Sequence, residues 1–263
     1  MQQILRETTG QEETCVYLPD RQARMRYRLI DRCHAETYQQ MLDRGWRRFG
    51  RVFFRHACAP CEECRSLRVD VAEFAPNRSM RRTLRRNRDL RLVLRPASIS
   101  EDHLRLYRRY HYDMAERKGW PDKEITPVGY YQTFCEGKED FGHELLFLLD
   151  ERLVAVALVD LLPRAVSAVY CYYEPEMRAR SLGVFSVLQQ VELARRRSLP
   201  YLYLGYWIDG NASMRYKANY RPHEILEGRP KLADEAVWRT WTQKSVATDS
   251  RTGGDGPRSS AEG

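Results

Sequence analysis

Three strings in this 263-residue chain bring together side chains able to do chemistry. The first is Cys58-x-x-Cys61-x-x-Cys64. Thiolates two residues apart on a turn can converge on one ion, and zinc asks for four tetrahedral ligands. Cys15 is the best candidate for the fourth, with His56 and Cys33 behind it. The same spacing serves iron–sulfur ligation, so zinc, a cluster, redox-active thiols and plain structural thiols all stay open. Cys33, Cys135 and Cys171 sit apart and read as small buried hydrophobes.

The second string is the arginine run NRSMRRTLRRNRDLR. On a helix, Arg78, Arg81, Arg82 and Arg85 share one broad face, with Leu84 pointing nearly away from it. Like charges at that spacing repel, and a phosphate, which suits the bidentate guanidinium, would relieve them. The plainer alternative is a solvated basic helix. Nearby, LYRRYHYDMAERKGW interleaves Tyr107, Tyr110, Tyr112 and Trp120 with basic residues, a pattern that suits base stacking or a half-buried helix face.

The third is a set of polar and aromatic residues on apolar strands. Asp160 lies within AVALVDLL, where a carboxylate is costly unless paired. It is a candidate to orient an amine or act as base, or else an Asp at a strand end close to Pro163. Tyr170 and Tyr173 on the next strand are candidates for an oxyanion or an adenosine. Tyr206, Trp207, Asp209, Tyr216, Lys217 and Arg221 end a strand and open a loop, where sites in sheet folds gather. Lys217 and Arg221 fit an acidic side chain or a phosphate equally well. Arg180-x-x-Gly183 at a helix start could hold a pyrophosphate.

These residues must be positioned by real elements. The hydrophobic pattern predicts strands in RMRYRLI, RRFGRVFF and SLRVDVAEF, and a helix in AETYQQMLDRG ending near Gly45. Helices follow over Asn77–Arg88, over Glu101–Lys118 with Ser100 as N-cap, and near Pro127–Cys135. Strands HELLFLLD, RLVAVALVDLL and AVSAVYCYY feed the helix LGVFSVLQQVELARRR and the strand YLYLGYWI. That order is an α+β layer pattern. Residues 1–14 read as a flexible start, 15–76 as a cysteine-rich region, 77–244 as a second domain, and 245–263 as a disordered tail rich in Gly, Ser and charge.

Lys and Arg number 44 against 36 acids, a net charge of +8 with pI near 9.2, which suggests a polyanionic partner. The first residues show no basic-then-apolar leader, and no apolar run is long enough to span a bilayer. The expected setting is therefore cytoplasmic, away from membranes. Oligomeric state is not legible.

Taken together, CVYLPDRQARMRY, RGWRRFGRVFFRHACAPCEEC, SLRVDVAEFAPNRSMRRTLRRN, VDLLPRAVSAVYCYYEP, RSLGVFSVLQQVELA and YLYLGYWIDGNASMRYKANYRPHE resemble the bacterial aminoacyl-tRNA–protein transferases described as aspartate/glutamate leucyltransferases, which are similar to the eukaryotic arginyltransferases. The strings cover about residues 15–224 in order. Ser213, where a lysine would precede Met-x-Tyr-Lys, and the segment YHYDMAERKGW depart from the family pattern.

The resemblance implies a cysteine-containing N-terminal domain packed against a GNAT-like acyltransferase domain. It implies an aminoacyl-tRNA donor, leucyl-tRNA or arginyl-tRNA, and acceptor proteins beginning with Asp or Glu, in N-degron protein degradation. Asp160, Tyr170, Tyr173 and Tyr206 would then belong to the catalytic centre. Arg81, Arg82, Arg85, Arg180, Asp209, Tyr216, Lys217 and Arg221 would contact substrates. The match also places Cys15, Cys58, Cys61 and Cys64 on the family's metal- or cluster-binding cysteines. The transfer needs no cofactor, and a zinc or iron–sulfur group would be structural or regulatory. The rival readings are an acyl-CoA N-acyltransferase, opposed by the bulk of Phe185, a cell-wall aminoacyl transferase, opposed by the cysteine cluster, and a non-catalytic RNA- or DNA-binding zinc protein.

Overall fold

A computed structural model describes residues 4–121, 124–137 and 140–241, so the tail expected to be disordered lies outside the described residues. The chain builds β1 (Ile4–Thr9), β2 (Glu13–Thr14), β3 (Gln22–Ala23), β4 (Met25–Ile30), α1 (Ala35–Leu42), β5 (Arg47–Phe49) and β6 (Val52–His56). It continues with β7 (Arg65–Asp70), α2 (Arg78–Arg86), β8 (Arg91–Pro96), α3 (Glu101–Lys118) and α4 (Pro127–Tyr130), which runs into one π turn through Cys135. Then come β9 (Gly142–Leu149), β10 (Arg152–Leu162), β11 (Ala165–Tyr173), α5 (Leu182–Arg196), β12 (Tyr201–Trp207), a 3-10 turn at Arg215–Asn219, β13 (His223–Leu226) and β14 (Trp238–Thr240).

The class is α+β, as the element order predicts. An eight-stranded sheet runs β14-β13-β7-β12-β11-β10-β9-β8, and a four-stranded sheet runs β1-β4-β6-β5. All neighbours in the large sheet are antiparallel except β11 and β12, which makes it mixed. Its central strands are apolar almost throughout because both faces are covered. Along β10, Val156 and Leu158 pack in the cluster with α3, while Ala157 and Val159 pack in the clusters with α5. A third core, built around Tyr38, Trp46, Phe53 and Phe141, joins α1 and the small sheet to Leu162, Ala165 and Tyr203 of the large one.

Three expectations change. Residues 4–14 are not loose: β1 pairs with β4, and Glu7 is held by Arg26 and Arg28. All six β1 side chains are exposed, so no hydrophobic period marks the strand; edge pairing and charge hold it. The string RRFGRVFF is two strands, folded into a hairpin at Gly50 (φ +54°). The sheets also divide the chain after His56, ahead of the compositional change near residue 76, because β7 is inserted in the large sheet between β12 and β13.

Local chemistry sets the helix ends. Asn77 caps α2 by accepting from Met80 N, and Ser100 caps α3 by accepting from His103 N. Glu101 and Asp102 occupy the first turn of α3, Arg117 and Lys118 the last, and Gly119 closes it in the left-handed region (φ +64°). Among the described residues no helix is long and apolar enough to cross a membrane.

Gly50 is a sensitive point. A Cβ there would sit 1.9 Å from the Gln132 carbonyl oxygen, and the positive φ penalises any L side chain. Gly50→Ala should cost about 2–5 kcal/mol of stability from the two effects together, read as a lower urea midpoint. A midpoint equal to wild type would show that the Gly50 turn and the π turn do not press on one another.

Candidate functional site

The site begins where two parallel strands part. β11 and β12 pair only over Ala165–Ser167 and Tyr201–Tyr203. Beyond that point their facing backbone groups need other partners, because an unpaired buried carbonyl is costly. Arg47, from β5, donates through Nη2 to the Ala168 carbonyl. Lys217 donates through Nζ to the Tyr206 carbonyl at 2.5 Å. Gly205 lies beside it in the left-handed region (φ +79°), and a Cβ there would meet the Arg47 guanidinium at an ordinary contact distance of 3.5 Å. Arg47 and Lys217 are each only 8% exposed. Burial, and the charge of Arg47, press the Lys217 ammonium down to about 7.

The carboxyl ends of the parted strands carry Tyr173 and Trp207. Beside Trp207 opens a cavity of about 970 Å³. Trp207, Trp241 and Tyr216 give it aromatic walls, and Arg65, Arg215, Arg221, Arg229 and Arg239 line it. Glu62, Asp209 and Glu227 are the acids along it, and Glu227 is already paired with Arg239. The balance favours an anion with flat rings. On the other side, α3 and β11 build an aromatic group. Tyr110 meets Tyr173 at 5.1 Å between ring centroids, His111 meets Trp120 at 5.6 Å, and His111 lies stacked on Tyr170 at 6.2 Å. The Tyr170 hydroxyl is 3.0 Å from His111 Nε2.

The sequence-predicted residues divide accordingly. Asp209, Tyr216 and Arg221 line the cavity together, and Lys217 lies directly behind it. Tyr173 stands at the β11 end, 3.7 Å from where a Cβ on Gly183 would project. Arg81, Arg82 and Arg85 are exposed on α2. Arg180 is committed to protein contacts: it donates to Asn87 Oδ1 (3.1 Å) and the Arg86 carbonyl (2.8 Å) and pairs with Asp89, tying the start of α5 to the end of α2.

Two candidates have other partners than a substrate. Asp160 is fully buried and bidentate with Arg48, which also donates to the Gly50 carbonyl. A carboxylate in an apolar strand needs a partner, and here that partner is a structural arginine from the neighbouring hairpin. Asp160 borders a separate small cavity with Phe134 and His143, away from the arginine-lined one. Tyr206 is spent as well: its hydroxyl donates to the carbonyls of Gly45 (2.8 Å) and Phe54 (3.3 Å), pinning the two sheets together.

Cys64 has Cys15, Cys58 and Cys61 near enough to act on it. Cys15 and Cys58 are buried, Cys61 and Cys64 partly so. Burial, then the presence of Cys15, Cys58 and Cys61, pushes the Cys64 thiol up to about 12. Arg24 N donates to Cys58 Sγ (3.2 Å) and Arg21 Nη1 to Cys61 Sγ (3.4 Å). As a donor set, thiols close enough for three of them to raise the cost of ionising Cys64 have the chemistry to suit a cation. Among the described residues, however, no group of three or more His, Cys, Asp or Glu is arranged as a coordination shell. His56 is held neutral, its pKa lowered to about 4 by burial first and Arg229 second. Arg229 ties this loop to the cavity by donating to the Cys58 and Cys61 carbonyls.

Sequence reasoning missed Arg47, Arg48, Arg229, Arg239 and Trp241. Two adjacent arginines in an apolar hairpin were a usable signal, since neighbours on a strand face opposite ways and each needed a buried acceptor.

Asp160→Asn leaves the Arg48 guanidinium buried without its counter-charge, an expected loss of about 3–5 kcal/mol in urea unfolding. Stability close to wild type with activity abolished would return Asp160 to the chemistry.

Two family models match the chain: "Arginine-tRNA-protein transferase, N terminus" over residues 13–82 and "Arginine-tRNA-protein transferase, C terminus" over residues 102–227. The protein named aspartate/glutamate leucyltransferase in Campylobacter jejuni serotype O:6 is 40% identical over 228 residues, 86% of this chain and 95% of that protein. The protein of the same name in Marinobacter nauticus is 41% identical over 215 residues, 81% and 89% of the two chains. That of Helicobacter hepaticus is 35% identical over 235 residues, 89% and 98%. Among solved structures, L-PGS from Bacillus licheniformis aligns with a TM-score of 0.44 at 14% identity over 68% of this chain and 59% of that one, too remote to bear on function. With two-thirds and more of each of these three relatives covered at this identity, the chain belongs to the aspartate/glutamate leucyltransferase family.

Proposed function

We propose that the protein transfers an amino acid, leucine before arginine, from aminoacyl-tRNA to the N-terminal α-amine of proteins beginning with Asp or Glu, as a step in N-degron degradation. The observation that carries this reading is the arginine- and aromatic-lined cavity beside the carboxyl end of β12, walled by the turn that follows it and by β7, β13 and β14. The name the relatives carry supplies the acceptor class and the donor residue. The part of the chain from α2 onward is read as a GNAT-like transfer domain, with the meander β9–β10–β11, then α5, then parallel β12.

The donor is an activated ester, so the reaction asks mainly for placement. The acceptor amine, with an ordinary pKa of about 7.7–8.0, attacks the ester carbonyl as a free base. A tetrahedral oxyanion forms, and the ribose hydroxyl leaves carrying a proton. Holding both ends together can supply several kcal/mol, and donors near the oxyanion supply more. Tyr173 at the β11 end and Tyr216 at the cavity wall are the hydroxyls best placed to donate. Trp241 and Tyr216 offer flat faces for the terminal bases, and the cavity arginines meet phosphates. The exposed arginines of α2 offer a second basic surface for the phosphates of the acceptor stem. Cys15, Cys58, Cys61 and Cys64 would hold a structural zinc ion or an iron–sulfur cluster, which contributes folding energy and no step of the transfer. A reaction fed by charged tRNA suits a cytoplasmic setting.

The test supplies labelled leucyl-tRNA, and separately arginyl-tRNA, with peptides beginning Asp, Glu or Ala. Label moving from leucyl-tRNA to the acidic-start peptides alone is the expected result. Transfer from arginyl-tRNA instead would change the donor, and turnover of acetyl-CoA with neither tRNA active would overturn the reading. Replacing Arg81, Arg82 and Arg85 together with Ala should weaken tRNA binding. It should also reduce the slope of log K against log salt by about 0.7–0.9 for each phosphate that is no longer neutralised. A parallel line at the wild-type slope removes α2 from the tRNA surface.

A further inference from the structure

The gap between β11 and β12 holds two buried cations, and among the described residues neither has an ion-pair partner. Arg47 uses Nη2 on the Ala168 carbonyl, and its Nη1 is buried with no hydrogen-bond partner. Lys217 has only the Tyr206 carbonyl. Around Lys217, β5 contributes the Arg47 charge, β12 a neutral carbonyl, and β11 the Ala168 carbonyl that Arg47 already occupies. Buried charges are normally paired. Among the described residues the other buried arginine, Arg48, has a carboxylate in Asp160. Arg47, the preceding residue on the same strand, does not.

We propose that Arg47 and Lys217 are a carboxylate seat that reads the acidic first side chain of the acceptor protein. This deepens the transferase reading and rests on it for the identity of the ligand. The turn that carries Lys217 is itself the cavity wall, with Tyr216 and Ala218 on either side of it lining the space. A carboxylate entering between that turn and Arg47 would meet the charges of both side chains, which already act on one another, and the α-amine of the same residue would be left on the cavity side. Asn and Gln have the shape of the acids but no charge to offset the pair, so they leave two cations buried and are rejected. A pair of this kind discriminates by electrostatics instead of by volume, so it serves Asp and Glu alike.

Proton linkage gives a signature that a structural role would not. With Lys217 at about 7 in the free protein, part of the population is neutral at and above neutral pH. A carboxylate against it favours the charged form, so binding takes up a proton. Uptake should approach about one proton per peptide at pH 8 and fall towards zero at pH 6.

The experiment is calorimetry of a Glu-starting peptide in two buffers of different ionisation enthalpy, without tRNA, on the full chain and on Lys217→Arg. The wild type should show the pH-dependent uptake. Lys217→Arg, always charged, should bind within about tenfold of wild type with that uptake gone. Lys217→Met should weaken the Glu peptide about a hundredfold or more and narrow its advantage over a Gln-starting peptide. Equal uptake in wild type and Lys217→Arg, or undiminished Glu preference in Lys217→Met, overturns the proposal. If Lys217→Met fails to fold, the wild-type and Lys217→Arg comparison decides alone. Because the calorimetry is independent of the labelled-tRNA assay, peptide binding with the linked uptake alongside failure of that assay with both charged tRNAs would count against the transferase reading and leave the seat standing.

Discussion

The early separation of β11 from β12 governs how this protein is built. A parallel pair that stays together would satisfy its own carbonyls and leave no opening at the strand ends. Here pairing stops after three residues on each strand, and the cost of unpaired backbone is met by charged side chains brought from elsewhere. β5 lays a guanidinium beside Gly205, and the turn after β12 folds back to deliver an ammonium. The small sheet therefore does more than cover an edge: its β5 strand furnishes one of the two groups that hold the gap.

Adjacent arginines on β5 show how neighbouring positions on a strand can take opposite fates. Arg48 is sealed against Asp160, with an aromatic ring 4.7 Å from its guanidinium carbon. That arrangement fixes the hairpin on the large sheet, and the Tyr206 hydroxyl bonds to Gly45 and Phe54 reinforce the same junction. Arg47 faces the gap with donor capacity left over. One arginine gives rigidity, the other a place where charge remains unbalanced until something arrives. Such contrasts between fully and partly satisfied polar groups are where a fold tends to reveal its working parts.

Much of this was legible in the sequence. The meander from β9 to β11, the helix α5 and the strand β12 follow from apolar runs broken at Asp150-Glu151 and Pro163-Arg164. Asn77 and Ser100 marked two helix starts where the caps indeed lie. The grouping of Asp209, Tyr216 and Arg221 around one space was also readable, since all follow one strand end. What the residues did not reveal were pairings between distant segments. Nothing local in SLRVDV says that it enters the large sheet between β12 and β13, and nothing local in RRF says which carboxylate its second arginine will meet. β13 and β14 were missed because four and three residues carry too little period to stand out. The catalytic roles expected of Asp160 and Tyr206 had the same origin: a polar group on an apolar strand announces that it has a partner, and only the fold shows whether that partner is a substrate or the protein itself.

The insertion of β7 has a consequence for how the molecule comes to exist. Its two neighbours are made more than half a chain later, with Leu67 opposite Gly205 on one side and Ile225 on the other. During synthesis the strand leaves the ribosome early and waits, with both edges open, until nearly all of the sheet has followed. Long-range pairings of this kind slow assembly and leave strand edges exposed meanwhile. Charged residues within and beside the strand, Arg65, Arg68 and Asp70, suit such a delay, because charge on an open edge discourages pairing with strangers.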